Sequence, residues 1–244
     1  MTRLLLTIQY VGTAYHGWQV QPNGVTVQER LQDAIEKVTG VRSGVIGCSR
    51  TDAGVHAKMF CCTLDTEYPL QGEKMAKALN AHLPKDIAVY KVREVAPDFH
   101  PRYQAVGKTY TYCIWNGKHR NPFYEDRALF ISKTLDEGVM DKAAKGFCGT
   151  HDYKAFCSAG SDVEDTVRTV SECSVKREGD LVTVTVTANG FLYNMVRILV
   201  GTLLDIEAGR LPSDAIKQAL DTTKRQDLGA TAPPMGLYLE KVYY

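Results

Sequence analysis

Nothing in the 244 residues approaches the ~20 consecutive apolar positions that a membrane-spanning helix needs. The opening Met1-Thr2-Arg3-Leu4-Leu5-Leu6-Thr7 has one positive side chain and three consecutive apolar residues before polar alternation begins. That is too little for a signal peptide, and the expected location is the cytoplasm, away from membranes. Net charge is nearly absent too: 29 Lys and Arg against 28 Asp and Glu leave +1. Proteins that coat nucleic acid without selectivity carry a global cationic excess, so any polyanionic partner here has to be gripped by a local patch. The seven cysteines are an odd count that includes the adjacent Cys61 and Cys62. This spacing suits neither a disulfide framework nor a CxxC metal knuckle, so reduced thiols and no metal site are expected. No low-complexity segment or long linker interrupts the chain, and its length allows one large domain or two small ones.

What is present is a repeated order of elements. Leu4, Leu6, Ile8 and Tyr10 alternate with Leu5, Thr7 and Gln9, which predicts a strand over 3–10. Thr26-Val27-Gln28-Glu29 has the pattern of a capping box, and Val27, Leu31, Ala34, Ile35 and Val38 follow at helical spacing until Gly40. Short strands are expected at Val45-Ile46 and Met59–Leu64, then a helix from Pro69 with Met75, Leu79 and Leu83 on one face, then a strand over Ile87–Val95. The second half repeats the order: strand over Tyr103–Trp115, helix over Leu135–Phe147 with Val139, Ala143 and Phe147 on one side, and strand over Val167–Val175. A turn at Glu178-Gly179-Asp180 precedes a strand over Leu181–Thr187 with one Val face and one Thr face. An apolar helix over Leu192–Ile206, a short helix from Ser213 and a strand over Leu237–Val242 complete it. Two β-α-β-β-α-β units in tandem predict an α+β fold of two ferredoxin-like halves with antiparallel sheets, residues 1–98 and 99–244, divided near Ala96–Pro101.

Two features carry candidate chemistry. Between Phe99 and Tyr124 there is no Asp or Glu, while Arg102, Lys108, Lys118 and Arg120 interleave with Tyr103, Tyr110, Tyr112 and Trp115. Cations beside aromatic faces are the composition of single-stranded RNA recognition; a half-buried strand whose tyrosines pack the core has the same composition. The second is Ser49-Arg50-Thr51-Asp52-Ala53-Gly54-Val55-His56-Ala57, between the second and third strands. It offers a guanidinium that can hold phosphate, a carboxylate between small neighbours, and a glycine that lets the backbone turn sharply. An ordinary turn with Asp52 accepting backbone bonds would read alike.

Arg50-Thr51-Asp52-Ala53-Gly54-Val55-His56-Ala57 resembles the catalytic-loop signature of the tRNA pseudouridine synthase A family. The resemblance extends in order through Gly17-Trp18-Gln19-Val20-Gln21-Pro22 with Thr26-Val27-Gln28, Phe99-His100-Pro101-Arg102-Tyr103, and Lys108-Thr109-Tyr110-Thr111-Tyr112. It continues through His151-Asp152-Tyr153, Gly190-Phe191-Leu192-Tyr193-Asn194-Met195-Val196-Arg197 and Thr231-Ala232-Pro233. Two positions depart from the family pattern: Val11 stands where an acidic residue is common, and Ser49 where Gly often precedes the loop Arg.

The resemblance implies a pseudouridine synthase fold with a central RNA-binding cleft, and isomerisation of uridine at positions 38, 39 and 40 of the tRNA anticodon stem-loop by a homodimer. It implies Asp52 as the catalytic carboxylate, Tyr110 as the aromatic that stacks on the target base, and Arg197 as the cation partnered with Asp52. A carboxylate can attack C1′ or the base, or remove a ribose proton, and in each route it must be ionised. An unperturbed phenol titrates near ~10, so stacking is the expected role of Tyr110. Arg197 sits in the apolar run Asn194–Val200, where an unpaired charge would be costly; the alternatives are that it snorkels to solvent or binds a structural carboxylate such as Asp205. Arg50, Arg102, Lys108, Lys118 and Arg120 are candidates for the RNA backbone, and no cofactor is expected. A non-catalytic RNA-binding module, and a thiol or metal protein using His16, His56 and His151, are the competing readings.

Overall fold

The N-terminal alternation produces β1 (Thr2–Tyr10), whose Leu4, Leu6 and Ile8 are fully buried. Helix α1 (Val27–Thr39) starts at the capping box: Thr26 Oγ1 accepts from Glu29 N–H at 3.3 Å, and Gly40 ends it in the left-handed region at φ 76°. Strands β2 (Val45–Gly47) and β3 (His56–Thr66) follow. The helix expected from Pro69 is described over Gly72–Asn80 (α2), with Met75 and Leu79 buried; Leu70 and Gln71 lie outside the described residues. β4 (Ile87–Glu94) completes the series. β1 pairs antiparallel with β3 and with β4, and β2 pairs antiparallel with β3. This computed structural model describes residues 1–69, 72–160 and 163–244.

The next stretch opens with β5 (Gly107–Trp115) and the two-residue β6 (Leu129–Phe130), which pairs parallel with β5. Helix α3 (Glu137–Ala144) is capped by Asp136, whose Oδ1 accepts from Val139 N–H at 3.0 Å. Its buried face is Met140, Ala143 and Ala144, continuing to Phe147, and Val139 is 42% exposed. The expected Val139 face is therefore corrected by one position: Val139 lies in the capped first turn, and Met140 takes the inward place. β7 (Gly149–Asp152), β8 (Val167–Glu178) and β9 (Leu181–Ala188) form an antiparallel run with β5, in the order β5-β9-β8-β7. On β9 the Val side is buried and the Thr side half-buried, as the alternation predicts. α4 (Met195–Glu207) and α5 (Ala215–Thr222) follow.

The last strand, β10 (Leu237–Tyr243), pairs parallel with β3 through Tyr238↔His56 and Leu239↔Ala57. The chain accordingly divides into one unit of residues 1–106 with 238–244 and another of 107–237. This differs from the expected break at 98/99 with a second half reaching 244, and the hydrogen bonds give the reason. Arg3 Nη1 donates to Phe99 O at 3.2 Å, Tyr244 Oη to Pro101 O at 2.9 Å, and Val106 N to Tyr243 O at 2.9 Å. The same Arg3 grips Asp65 with two bonds of 2.7 Å, and that hydrogen bonding holds the Asp65 carboxyl below the ordinary carboxylate range. Residues 99–106 are thus tied to the first unit.

The architecture is mixed α/β, with ten strands and five α-helices among the described residues. Among those residues no helix is long and apolar enough to cross a membrane. Among the described residues no cysteine is in a disulfide, and burial pushes the thiols of Cys62 and Cys173 well up, away from the reactive thiolate.

Candidate active site

Asp52 lies half-buried on the loop between β2 and β3, and that loop rests in a cradle made by residues 10–18. Trp18 N donates to Thr51 O at 3.1 Å, Tyr10 Oη and Thr51 Oγ1 are 2.8 Å apart, and Gly54 N donates to Tyr15 O at 3.3 Å. Gly12 N donates to Nδ1 of the fully buried His56 at 2.9 Å, and the His56 ring stacks on Tyr238 at 4.6 Å. The turn itself closes through Val55 N to Asp52 O at 3.1 Å, with Gly54 at φ 77°. Backbone approaches backbone so closely that a Cβ on Gly12 would run into Val55 O, and one on Gly17, at φ 83°, into Thr51 O. These anchors are main-chain groups, a Thr hydroxyl and an imidazole, and together they frame the loop that presents the carboxylate at position 52, the arrangement a reacting group requires.

This frame explains the Gly17-Trp18 motif, which the sequence shows without its purpose. Trp18 is 3% exposed and packs on Phe60 at 4.1 Å between ring centroids, while its backbone holds the loop. Of the two departures, Val11 N bonds to Asp86 O, and Ser49 lines a groove. That groove, of about 350 Å³, is formed within the first unit and brings Arg50 together with Arg102. The side chains lining it include His100, Tyr103 and Trp18, and no carboxylate is among them.

In the second unit, Tyr110 is on β5 opposite Val186, 7% exposed, with its ring edge-on to Phe191 at 4.9 Å. The neighbouring aromatic of the same strand, Tyr112, is wholly buried and donates from Oη to Pro233 O at 2.8 Å. Burial pushes its phenol up, with the Arg197 charge pulling the other way. Tyr112 is therefore core, and the acid-free stretch is partly the packed strand that its composition equally allows.

Arg197 stands in the first turn of α4, where a cation opposes the helix macrodipole and needs acceptors to hold it. Nε donates to Ala232 O at 2.7 Å and Nη1 to Asn194 Oδ1 at 2.7 Å, while Ala232 N donates back to Arg197 O at 3.0 Å. Asn194 reaches this position by adopting the left-handed region at φ 60°. The Thr231-Ala232-Pro233 motif thus has a job: it fixes the guanidinium. Asp205, the alternative partner, bonds to Arg210 instead, at 2.7 Å from its Nε.

The remaining basic candidates are divided. Lys108 is half-buried on β5, and Lys118 and Arg120 are exposed beyond its end. Arg120 lines a groove of about 220 Å³ that also contains Glu125 and Asp126, so charge there is mixed. The structure brings Arg50 and Arg102 together in one acid-free groove and leaves Lys118 and Arg120 outside it. Among the described residues no three His, Cys, Asp or Glu are grouped to hold a metal ion. His56 accepts a backbone bond and stacks on Tyr238, and His151 Nε2 lies 3.1 Å from Cys148 O.

The profile of the family described as tRNA pseudouridine synthase matches residues 6–104 and 143–244, which contain the cradle, the Asp52 loop and the Arg197 clamp. Relatives match over the whole length of both chains. They include tRNA pseudouridine synthase A 2 of Clostridium perfringens (strain 13 / Type A), 43% identical over 244 residues, with 100% of each chain covered. The tRNA pseudouridine synthases A of Acetivibrio thermocellus and of Thermoanaerobacter sp. (strain X514) are each 44% identical over 244 residues, again covering 100% of both chains. With similarity spanning every element that frames the loop and the clamp, the chain belongs to the tRNA pseudouridine synthase family of isomerases.

Proposed function

We propose that this enzyme converts uridine to pseudouridine at positions 38, 39 and 40 of the tRNA anticodon stem-loop, with Asp52 as its catalytic carboxylate. The observation that carries the reading is the cradled loop: a carboxylate on a glycine-dependent turn held by backbone hydrogen bonds, a Thr hydroxyl and an imidazole, inside the segment matched by the family profile. The reaction breaks N1–C1′ and forms C5–C1′; C5 loses a proton and N1 gains one. It is redox-neutral, so a positioned carboxylate and a way to hold the detached base are sufficient, without a cofactor.

By the resemblance, Tyr110 stacks on the target base and Arg197 is the cation that keeps the carboxylate ionised. The two bonds that orient Arg197 support a positioning duty rather than surface solvation. Arg50, Arg102, Lys108, Lys118 and Arg120 are read as backbone-phosphate contacts, the first two with the added support of their shared groove. The ferredoxin-like description is supported in the first unit by antiparallel pairing in the order β4-β1-β3-β2, and the proposal extends it to both halves. A cytoplasmic homodimer completes the reading.

Incubating the protein with undermodified tRNA and mapping pseudouridine by chemical primer extension tests activity and position together. New stops at 38, 39 and 40 are the expected result; an unmodified anticodon arm overturns the reading. For Tyr110, the ring should suffice: Tyr110→Phe is expected to keep tRNA affinity, and Tyr110→Ala to lose roughly 5- to 100-fold, the worth of one stacked base. Equal affinities for the two variants would argue against stacking.

A further inference from the structure

Two aromatics of the acid-free stretch, Phe123 and Tyr103, are strongly exposed, and of the two it is Tyr103 that borders the Arg50–Arg102 groove. Tyr110 and Tyr112 are buried and Trp115 is half-covered by stacking on Tyr124, but Tyr103 is 76% exposed at the rim of the Arg50–Arg102 groove. A single exposed ring is ordinary by itself; on a fixed backbone beside cations it becomes a surface on which a base can stack. Here the backbone is fixed by a short hydrogen-bonded turn. Gln104 N donates to His100 O at 3.1 Å, and Gln104 Oε1 accepts from His100 N at 3.0 Å. His100 Nδ1 accepts from Arg102 N at 3.2 Å and from Tyr103 N at 3.3 Å.

With Nδ1 occupied as an acceptor, the imidazole plane is set, and it lies against the Tyr103 ring at 4.2 Å between centroids and 31° between planes. The Arg102 guanidinium sits 5.8 Å from the same ring centre. The result is an aromatic shelf, pre-ordered and solvent-facing, with two guanidinium groups and no carboxylate in the groove it borders. A π-face beside cations that can take a phosphate is the minimal site for one unpaired nucleotide.

We propose that the Tyr103–His100 shelf, with Arg50 and Arg102, is a second nucleotide subsite that holds an unpaired base of the substrate tRNA other than the target uridine. The inference rests on the reading of tRNA as substrate. Arg50 is two residues from Asp52 in the cradled loop, so a nucleotide held here fixes the RNA relative to the catalytic turn at the cost of ordering one base.

The test is a binding cycle with tRNA anticodon arms in which one loop nucleotide at a time is made abasic. Tyr103→Ala is expected to weaken binding of the intact arm roughly 10- to 100-fold, and Tyr103→Phe to restore it. One abasic position outside the target should weaken the parent protein by a similar factor and cause no additional loss in Tyr103→Ala. Unchanged affinity in Tyr103→Ala, an equal loss in Tyr103→Phe, or coupling only to the target position would overturn the subsite. Because the readout is affinity, it separates from the proposed function: a parent protein that shows the coupling but forms no pseudouridine refutes the reaction and keeps the subsite.

Discussion

Asp52→Asn is expected to abolish pseudouridine formation while tRNA affinity stays within a few-fold of the parent. The expectation follows from how the loop is built. Thr51, Gly54, Val55 and His56 are held through main-chain groups, a Thr hydroxyl and an imidazole, so the turn keeps its shape when one carboxylate oxygen becomes an amide nitrogen. What changes is chemical. An amide can neither attack C1′ or the uracil ring nor take a ribose proton, so the three candidate routes fail together. Removing a group of this kind costs at least about 10³-fold in rate. Release of tritium from C5 of labelled uridine in tRNA measures turnover directly, because the C5 proton is lost whichever route operates, and a filter assay gives affinity. A variant that still releases tritium at a tenth of the parent rate would remove Asp52 from the chemistry and favour a different carboxylate. A parent that binds tRNA but releases none would favour the non-catalytic RNA-binding reading.

Much of this arrangement is written locally. The capping box of α1, the Val/Thr alternation of β9 and the apolar run of α4 each follow from spacing within a dozen residues, and each is where the spacing places it. The differences have both non-local and local causes. The second unit stops at 237, short of the expected 244, where β10 returns to pair with β3, and no periodicity in Leu237–Tyr243 names its partner. The short β6 and β7 are too brief for a period to register. On α3, a single capping bond from Asp136 sets the phase that the apolar pattern alone puts at Val139.

The candidate site divides the same way. The Asp52 loop and Arg197 are legible as motifs, but their supports are not: Gly12 and Gly17 matter because distant backbone presses on them, which nothing adjacent in the chain encodes. The composition of residues 99–124 points to RNA without separating the buried Tyr112 from the exposed Tyr103. Exposure separates them, and it comes only with the fold.

Gly201→Ala should be the most damaging small substitution away from the chemistry, and its sign runs against local expectation. In a helix interior, Gly to Ala ordinarily stabilises by about 1 kcal/mol, because Gly has more backbone freedom to lose. Gly201, however, lies where α4 meets residues 229–232, and an added Cβ would drive into Ala230 O. The other side of the contact has no slack, since a Cβ on Gly229 would lie 2.6 Å from Asp205 Oδ2 and 2.7 Å from Gly201 O. Gly229 N also donates to Thr202 Oγ1 at 3.2 Å. The methyl can be accommodated only by pushing the segment away from the helix, a backbone shift that costs about 1–3 kcal/mol or more and lowers the melting temperature by roughly 3–10 °C. The segment that moves carries Ala232, whose carbonyl fixes Arg197 and whose N–H takes the Arg197 carbonyl. Misplacing a reacting or positioning group by about 1 Å is enough to cost roughly 10²-fold in rate, so turnover should fall beyond what unfolding explains when assayed well below the new melting temperature. Gly146→Ala is the control: the nearest neighbour of its Cβ is Ile216 Cγ2 at 3.9 Å, and stability and turnover should match the parent. A Gly201→Ala protein that melts at or above the parent temperature would show that the helix and the Ala232 segment part without penalty, and that the Arg197 clamp does not depend on their close approach.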